Sequence, residues 1–151
     1  MSMIAEHAYQ GVTISAVPAE MLDQVWEPVF DYLVPAVERS HGRWSMDSLK
    51  EAILQGTQQL WVVYEGDQPI KGVATTEIQD YPNKRMLAIQ YLGGRDLNGW
   101  AFSMLEILEN FAKATKCQGI EATARKGFWK WMKDYEYQNA YTVFEKEIAS
   151  E

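Results

Sequence analysis

The sequence predicts an α/β domain with a mixed sheet flanked by helices, in the order β-α-α-β-β-β-α-β-α-β. Three observations carry this expectation. Strand-like runs follow one another at residues 59–64 (QLWVVY), 70–78 (IKGVATTEI) and 86–92 (MLAIQYL), parted only by EGDQP and a turn at Pro82-Asn83-Lys84. Such neighbours pair antiparallel. Next comes the clearest helical pattern of the chain, with Trp100, Met104, Ile107, Leu108, Phe111, Ala112 and Thr115 on one face and Glu106, Glu109, Asn110 and Lys113 elsewhere. A further strand-like run, GIEATA at 119–124, follows that helix. Strand, glycine-rich loop, helix and strand make a crossover, which sets the two strands parallel and places the loop at the natural ligand mouth.

The remaining elements fill in around this unit. GVTISAV at 11–17 alternates and stops at Pro18, as a first strand does. Leu22, Val25, Trp26, Val29, Phe30, Leu33, Val34 and Val37 fall at helical spacing, with Pro28 and Pro35 expected to kink or split that helix in two. Ser45 and Asp47 open a short helix with Leu49, Ala52 and Ile53 inward, and Gly56 ends it. Residues 126–135 read as an aromatic helix and 140–148 (AYTVFEKEI) as a last strand. No linker, repeat or low-complexity stretch divides the chain, so a single domain over 1–151 is expected.

Composition excludes several classes of function. A formal net charge of -7 disfavours a protein that grips duplex nucleic acid by bulk charge. Apolar runs are short, and the first residues lack a basic stretch followed by an apolar one, so no membrane span or secretory signal is expected and a cytoplasmic protein is. Cys117 is the only cysteine, which rules out an internal disulfide, and it reads as an inert packed thiol. His7 and His41 lack helix-spaced partners, so no metal site is legible.

The loop LGGRDLNGWAF at 92–102 carries the sharpest chemical signal. Unpaired N–H groups at a helix start carry partial positive charge and receive phosphates, and glycines let the backbone come close. Leu92, Gly93, Gly94, Arg95, Asn98, Gly99, Trp100 and Ala101 are the candidate cofactor-binding residues on this reading. The other reading is a turn whose glycines serve only geometry.

Order and loop together resemble the GNAT superfamily of acyl-CoA-dependent N-acyltransferases, over nearly the whole chain. Against that family's pyrophosphate loop, Q/R-x-x-G-x-G/A, this sequence sets Asp96, Gly99 and Ala101, continued by Met104, Leu105 and Glu106. Asp96 departs from the pattern. A carboxylate a few ångströms from a phosphate charge repels it by about 1 kcal/mol in water-like surroundings and about 4 kcal/mol in a partly screened site. The family's C-terminal segment, resembling F-Y-E-K-L-G-F, carries a tyrosine that protonates the departing thiolate. Here Met132 stands at that tyrosine and Glu136 at the glycine, unless the register slips to Tyr135 or Tyr137.

The resemblance implies acetyl-CoA as cofactor, an amine on a small molecule or protein as acceptor, and direct attack on the thioester. Candidate catalytic groups are Glu77, Tyr91 and Tyr135, with His41 in the segment that covers the acceptor in such folds. The alternative is a scaffold that has lost its cofactor and binds a protein or nucleic acid through aromatics near Trp129. Arg125, Lys126, Lys130 and Lys133, interleaved with Phe128, Trp129 and Trp131, suit either a single-stranded nucleic acid or a nucleotide. Small size and high Trp content also resemble small GNAT-like proteins encoded by bacteriophages. The 140–148 strand is long enough to pair across a homodimer.

Overall fold

The computed structural model describes residues 4–9 and 11–149. Its frame is one six-stranded sheet in which sequence order is spatial order. The strands are β1 (Ile4–Tyr9), β2 (Val12–Ala16), β3 (Gln59–Tyr64), β4 (Gly72–Asp80), β5 (Arg85–Gly94) and β6 (Gly119–Ala122). Every neighbouring pair is antiparallel except β5 and β6, whose crossover helix makes them parallel as expected.

Both faces of the sheet are covered, and β3 shows how the sequence arranges this. Its run of apolar residues sends Trp61 and Val63 to one face and Leu60 and Val62 to the other, because successive strand side chains alternate. On the first face they meet α3 (Ala101–Ala114) through Met104, Ile107 and Leu108. On the second they meet α1 (Leu22–Glu38) and α2 (Met46–Gln55). The Ser45 hydroxyl caps α2 by accepting from Ser48 N–H at 3.0 Å, and Gly56 ends it with φ of 84°.

Four sequence expectations need correction. First, α1 is a single helix that runs through both prolines. An interior proline costs about 3 kcal/mol, yet Leu22, Val25, Val29, Leu33 and Val37 are all buried along one stripe. At about 1.5–3 kcal/mol for each side chain, that burial outweighs two prolines placed off the stripe. Second, β1 is a strand that the sequence did not reveal; it forms a hairpin with β2 across Gly11, whose φ of 86° suits only a residue without Cβ. Third, residues 126–135 form only one α-turn, α4 (Trp129–Met132), between two 3-10 turns. Gly127 and the aromatic residues are poor helix formers.

Fourth, residues 140–148 form no strand. Alternation is a weak instruction without a sheet edge in register to receive it. Tyr141, Val143, Phe144 and Ile148 are left exposed, and Glu145 instead reaches the loop between α1 and α2. Among the described residues no helix is long and apolar enough to cross a membrane.

A close contact between the layers lies at Gly72 on β4. A Cβ there would stand 2.4 Å from the ring of Trp100, which is itself fully buried. Gly72→Ala is therefore expected to destabilise the fold by about 1–3 kcal/mol, read as a lower midpoint in chemical denaturation. An unchanged midpoint would show that the Trp100 ring can yield.

Candidate functional site

The pairing of β5 with β6 lasts only from Met86–Gly119 to Ile89–Ala122. One residue later β5 is irregular: Thr76 faces Ile89 and Thr75 faces Tyr91, so Gln90 has no counterpart on β4. A bulge of this kind adds local twist and bends its strand. The far half of β5 thereby parts from the chain leaving β6, and a cleft of about 540 Å³ opens between them.

Residues 89–92 form one wall of the cleft and 122–125 the other. Arg39, Ser40, His41, Arg43 and Trp44, Ala101 and Leu105 of α3, and Phe128, Trp131 and Met132 also line it. Along the edge of β5 facing the cleft, no strand pairs with residues 90–94 among the described residues. The main-chain donors and acceptors on that edge are open to an extended ligand.

The glycine-rich loop is held from beneath. Arg95 N–H donates to Lys71 O at 2.9 Å, Gly99 N–H to Asp96 O at 2.9 Å, and the indole N–H of Trp100 to Arg95 O at 2.9 Å. Asp96 takes the left-handed conformation at φ of 55° and turns its carboxylate to the Lys71 ammonium, 3.2 Å away. Lys71 is buried and also pairs with Glu65. The Glu65 hydrogen bond, with the bond to Asp96 behind it, holds its pKa above the usual lysine value against the opposite pull of burial. Its charge, then, is permanent at neutral pH.

Asp96 consequently lines neither the cleft nor the smaller cavity beside it. Gly99 lies beneath that carboxylate, where a Cβ would come within 2.7 Å of Asp96 Oδ2. At the start of α3, the N–H groups of Ala101, Phe102 and Ser103 precede the first helical bond, from Met104 N–H to Trp100 O.

Of the residues that the sequence singled out, Tyr91, Leu92 and Ala101 line the cleft, and Leu92, Gly93, Gly94 and Arg95 border the smaller cavity. Gly93 and Gly94 also have packing reasons, since a Cβ would meet Tyr32 O at 2.6 Å and Lys71 O at 2.4 Å respectively. Asn98 accepts a hydrogen bond from the Trp131 indole at 3.0 Å and ties the loop to the aromatic segment. Trp100 is fully buried and acts only by positioning the loop.

Glu77 and Tyr135 stand outside the cleft, a correction to their expected place. Glu77 accepts from the amides of Gln79 at 2.7 Å and Gln90 at 3.3 Å. Tyr135 stacks on Phe102 at 4.6 Å, with burial raising its pKa. Tyr137 packs against the core, and desolvation pushes its pKa up to about 12. Neither tyrosine lines the cleft, whereas Met132 does.

Tyr91 is the tyrosine within the cleft. Burial raises its pKa, offset in part by a hydrogen bond with Ser40 and the charge of Arg43. His41 also lines the cleft, and its Nδ1 lies 2.8 Å from Glu145 Oε1; Arg43 holds the other oxygen of that carboxylate at 2.8 Å. Sequence reasoning missed Arg39, Arg43, Gln90 and Glu145. The run RSHGR at 39–43, with two arginines and a histidine within five residues, was the one available signal.

No family model matches the sequence, and no curated protein matches it. Solved structures do match. A Clostridium acetobutylicum protein named as a predicted acetyltransferase, solved with acetyl-CoA, is 18% identical, with a TM-score of 0.65 over 90% of this chain and 96% of its own. A structure named as a probable acetyltransferase gives 0.65 at 14% identity over 91% and 99% of the two chains. An aminoglycoside acetyltransferase from an uncultured soil metagenomic sample, in complex with sisomicin, gives 0.58 at 14% identity over 92% and 97%. The chain has the fold of the GNAT acetyltransferases.

With Asp96 turned to Lys71, neutralising it removes little repulsion. Asp96→Asn is expected to keep acetyl-CoA affinity within about threefold of the parent by isothermal titration. A gain of about tenfold or more would place that carboxylate against the cofactor's phosphates.

Proposed function

We propose that the protein transfers an acetyl or similar acyl group from acyl-CoA to an amine. The observation that carries this reading is the bulge at Gln90, which opens β5 from β6 beside the free N–H groups of α3. The cleft fits an extended, amide-bearing arm: its volume suits a ligand of that size, and the β5 edge offers backbone pairing along residues 90–94. The first turn of α3 would receive a diphosphate. Bound there, acyl-CoA supplies an electrophilic thioester carbonyl.

The chain's own groups position and transfer protons around that carbonyl. Since the pKa of Tyr91 is raised, its hydroxyl stays protonated at neutral pH and serves as a donor rather than a base. His41 is the complementary group. With its Nδ1–H donated to Glu145, Nε2 carries the lone pair and can take a proton from the incoming ammonium. The amine enters between α1 and the tail, on the side of the cleft that carries His41.

Isothermal titration with acetyl-CoA, coupled to thiol release in the presence of an amine panel, tests the reading. Saturable binding and amine-dependent thiol release are expected, and no heat at millimolar cofactor would leave only a scaffold. Tyr91→Phe and His41→Gln are each expected to lower kcat about a hundredfold while acetyl-CoA affinity changes little. If affinity fell with kcat, both residues would be binding rather than proton-transfer groups.

A further inference from the structure

Three arginines line one small cavity. Arg39 comes from the end of α1, Arg95 follows β5, and Arg125 follows β6; they line a space of about 260 Å³ whose only carboxylate is Asp31. The chain has an excess of acidic residues, and Arg43 and Arg85 both have carboxylate partners. Yet among the described residues none of Arg39, Arg95 and Arg125 forms an ion pair, and Arg125 only leans on the Phe128 ring at 5.7 Å. Unpaired like charges drawn to one cavity are relieved by a bound anion, and guanidinium forks match planar carboxylate and phosphate oxygens.

The place of the cavity decides which anion it takes. It lies on the α1 side of the sheet, where Gly93 backs onto the Tyr32 carbonyl. The N–H groups that begin α3 belong to the opposite face, with the core cluster of Trp100 and Met104. The cavity shares Ala36, Arg39, Leu92 and Arg125 with the cleft, so a short molecule can span both. Its volume holds a small anionic group and not a nucleotide.

We propose that this cavity binds the anionic group, a carboxylate or phosphate, of the acyl acceptor, so that the acceptor is a small amino acid-like or amino-phosphate molecule. The proposal rests on the acyltransfer reading above. Arg39 is the discriminating residue, because it is exposed at the end of α1, apart from the loop and the helix start.

Titration separates the two sources of anion, acceptor and cofactor. Inorganic phosphate added to protein already saturated with acetyl-CoA is expected to bind. Arg39→Gln should weaken that binding about tenfold and keep acetyl-CoA affinity within about twofold, with Arg39→Lys in between. In turnover, Arg39→Gln should raise KM about tenfold for amino-carboxylate or amino-phosphate acceptors and leave a neutral amine unaffected. Competition between phosphate and acetyl-CoA, with both weakened alike by Arg39→Gln, would assign the arginines to the cofactor's phosphates and overturn the proposal. Absence of phosphate binding to the parent protein would overturn it too. Failure of acetyl-CoA to bind sinks the acyltransfer reading and the acceptor with it, whereas Arg39-dependent phosphate binding would still mark an anion site, so the two failures are distinct.

Discussion

The site depends on the point where two parallel strands stop pairing. Beyond Ile89 and Ala122 the ladder ends, because the extra residue Gln90 bends β5 while β6 gives way to an extended chain. Continued pairing would close the edge and fill the space that the cleft occupies. A strand edge left open inside a fold is costly unless something satisfies it. Here the surrounding elements cover the opening without pairing it: the end of α1, the start of α3 and the aromatic segment all border the gap.

A second constraint keeps the neighbouring loop in shape. Lys71 has its ammonium on Asp96 and its carbonyl on the Arg95 N–H, so one residue of β4's approach fixes two successive residues of the loop. Trp100 adds the third tie and rests on Gly72. The acidic residue of the loop, Asp96, is thereby a partner in the loop's own structure. Its role depends on Lys71, which lies 25 residues earlier and becomes a neighbour only when β4 and β5 pair.

Legibility in the sequence followed the range of the interactions. The α3 stripe, the Ser45 cap, the β3–β4–β5 meander and the crossover were readable, because periodicity and turn residues encode them locally. The unbroken α1 was not, since its prolines are overruled by burial against a distant sheet. Nor was the tail, whose alternation at 140–148 finds no strand partner and whose Glu145 pairs with His41 and Arg43, about a hundred residues away. At the site the loop was legible and the bulge was not: Gln90 has no composition that marks it, and its role comes from register alone. The same applies to Arg39, Arg95 and Arg125, which come from three separate elements and meet only in the fold.

Amide chemical shifts of 15N-labelled protein titrated with acetyl-CoA test the central claim most directly, because they report the backbone groups of the opened edge one by one. The account predicts saturable shifts concentrated at residues 90–94, 101–103 and 123–125, with the amides of β1, β2 and α2 unmoved. Saturation without movement along residues 90–94 would contradict it, since the parted strands would then be a structural accident and the cofactor would lie elsewhere.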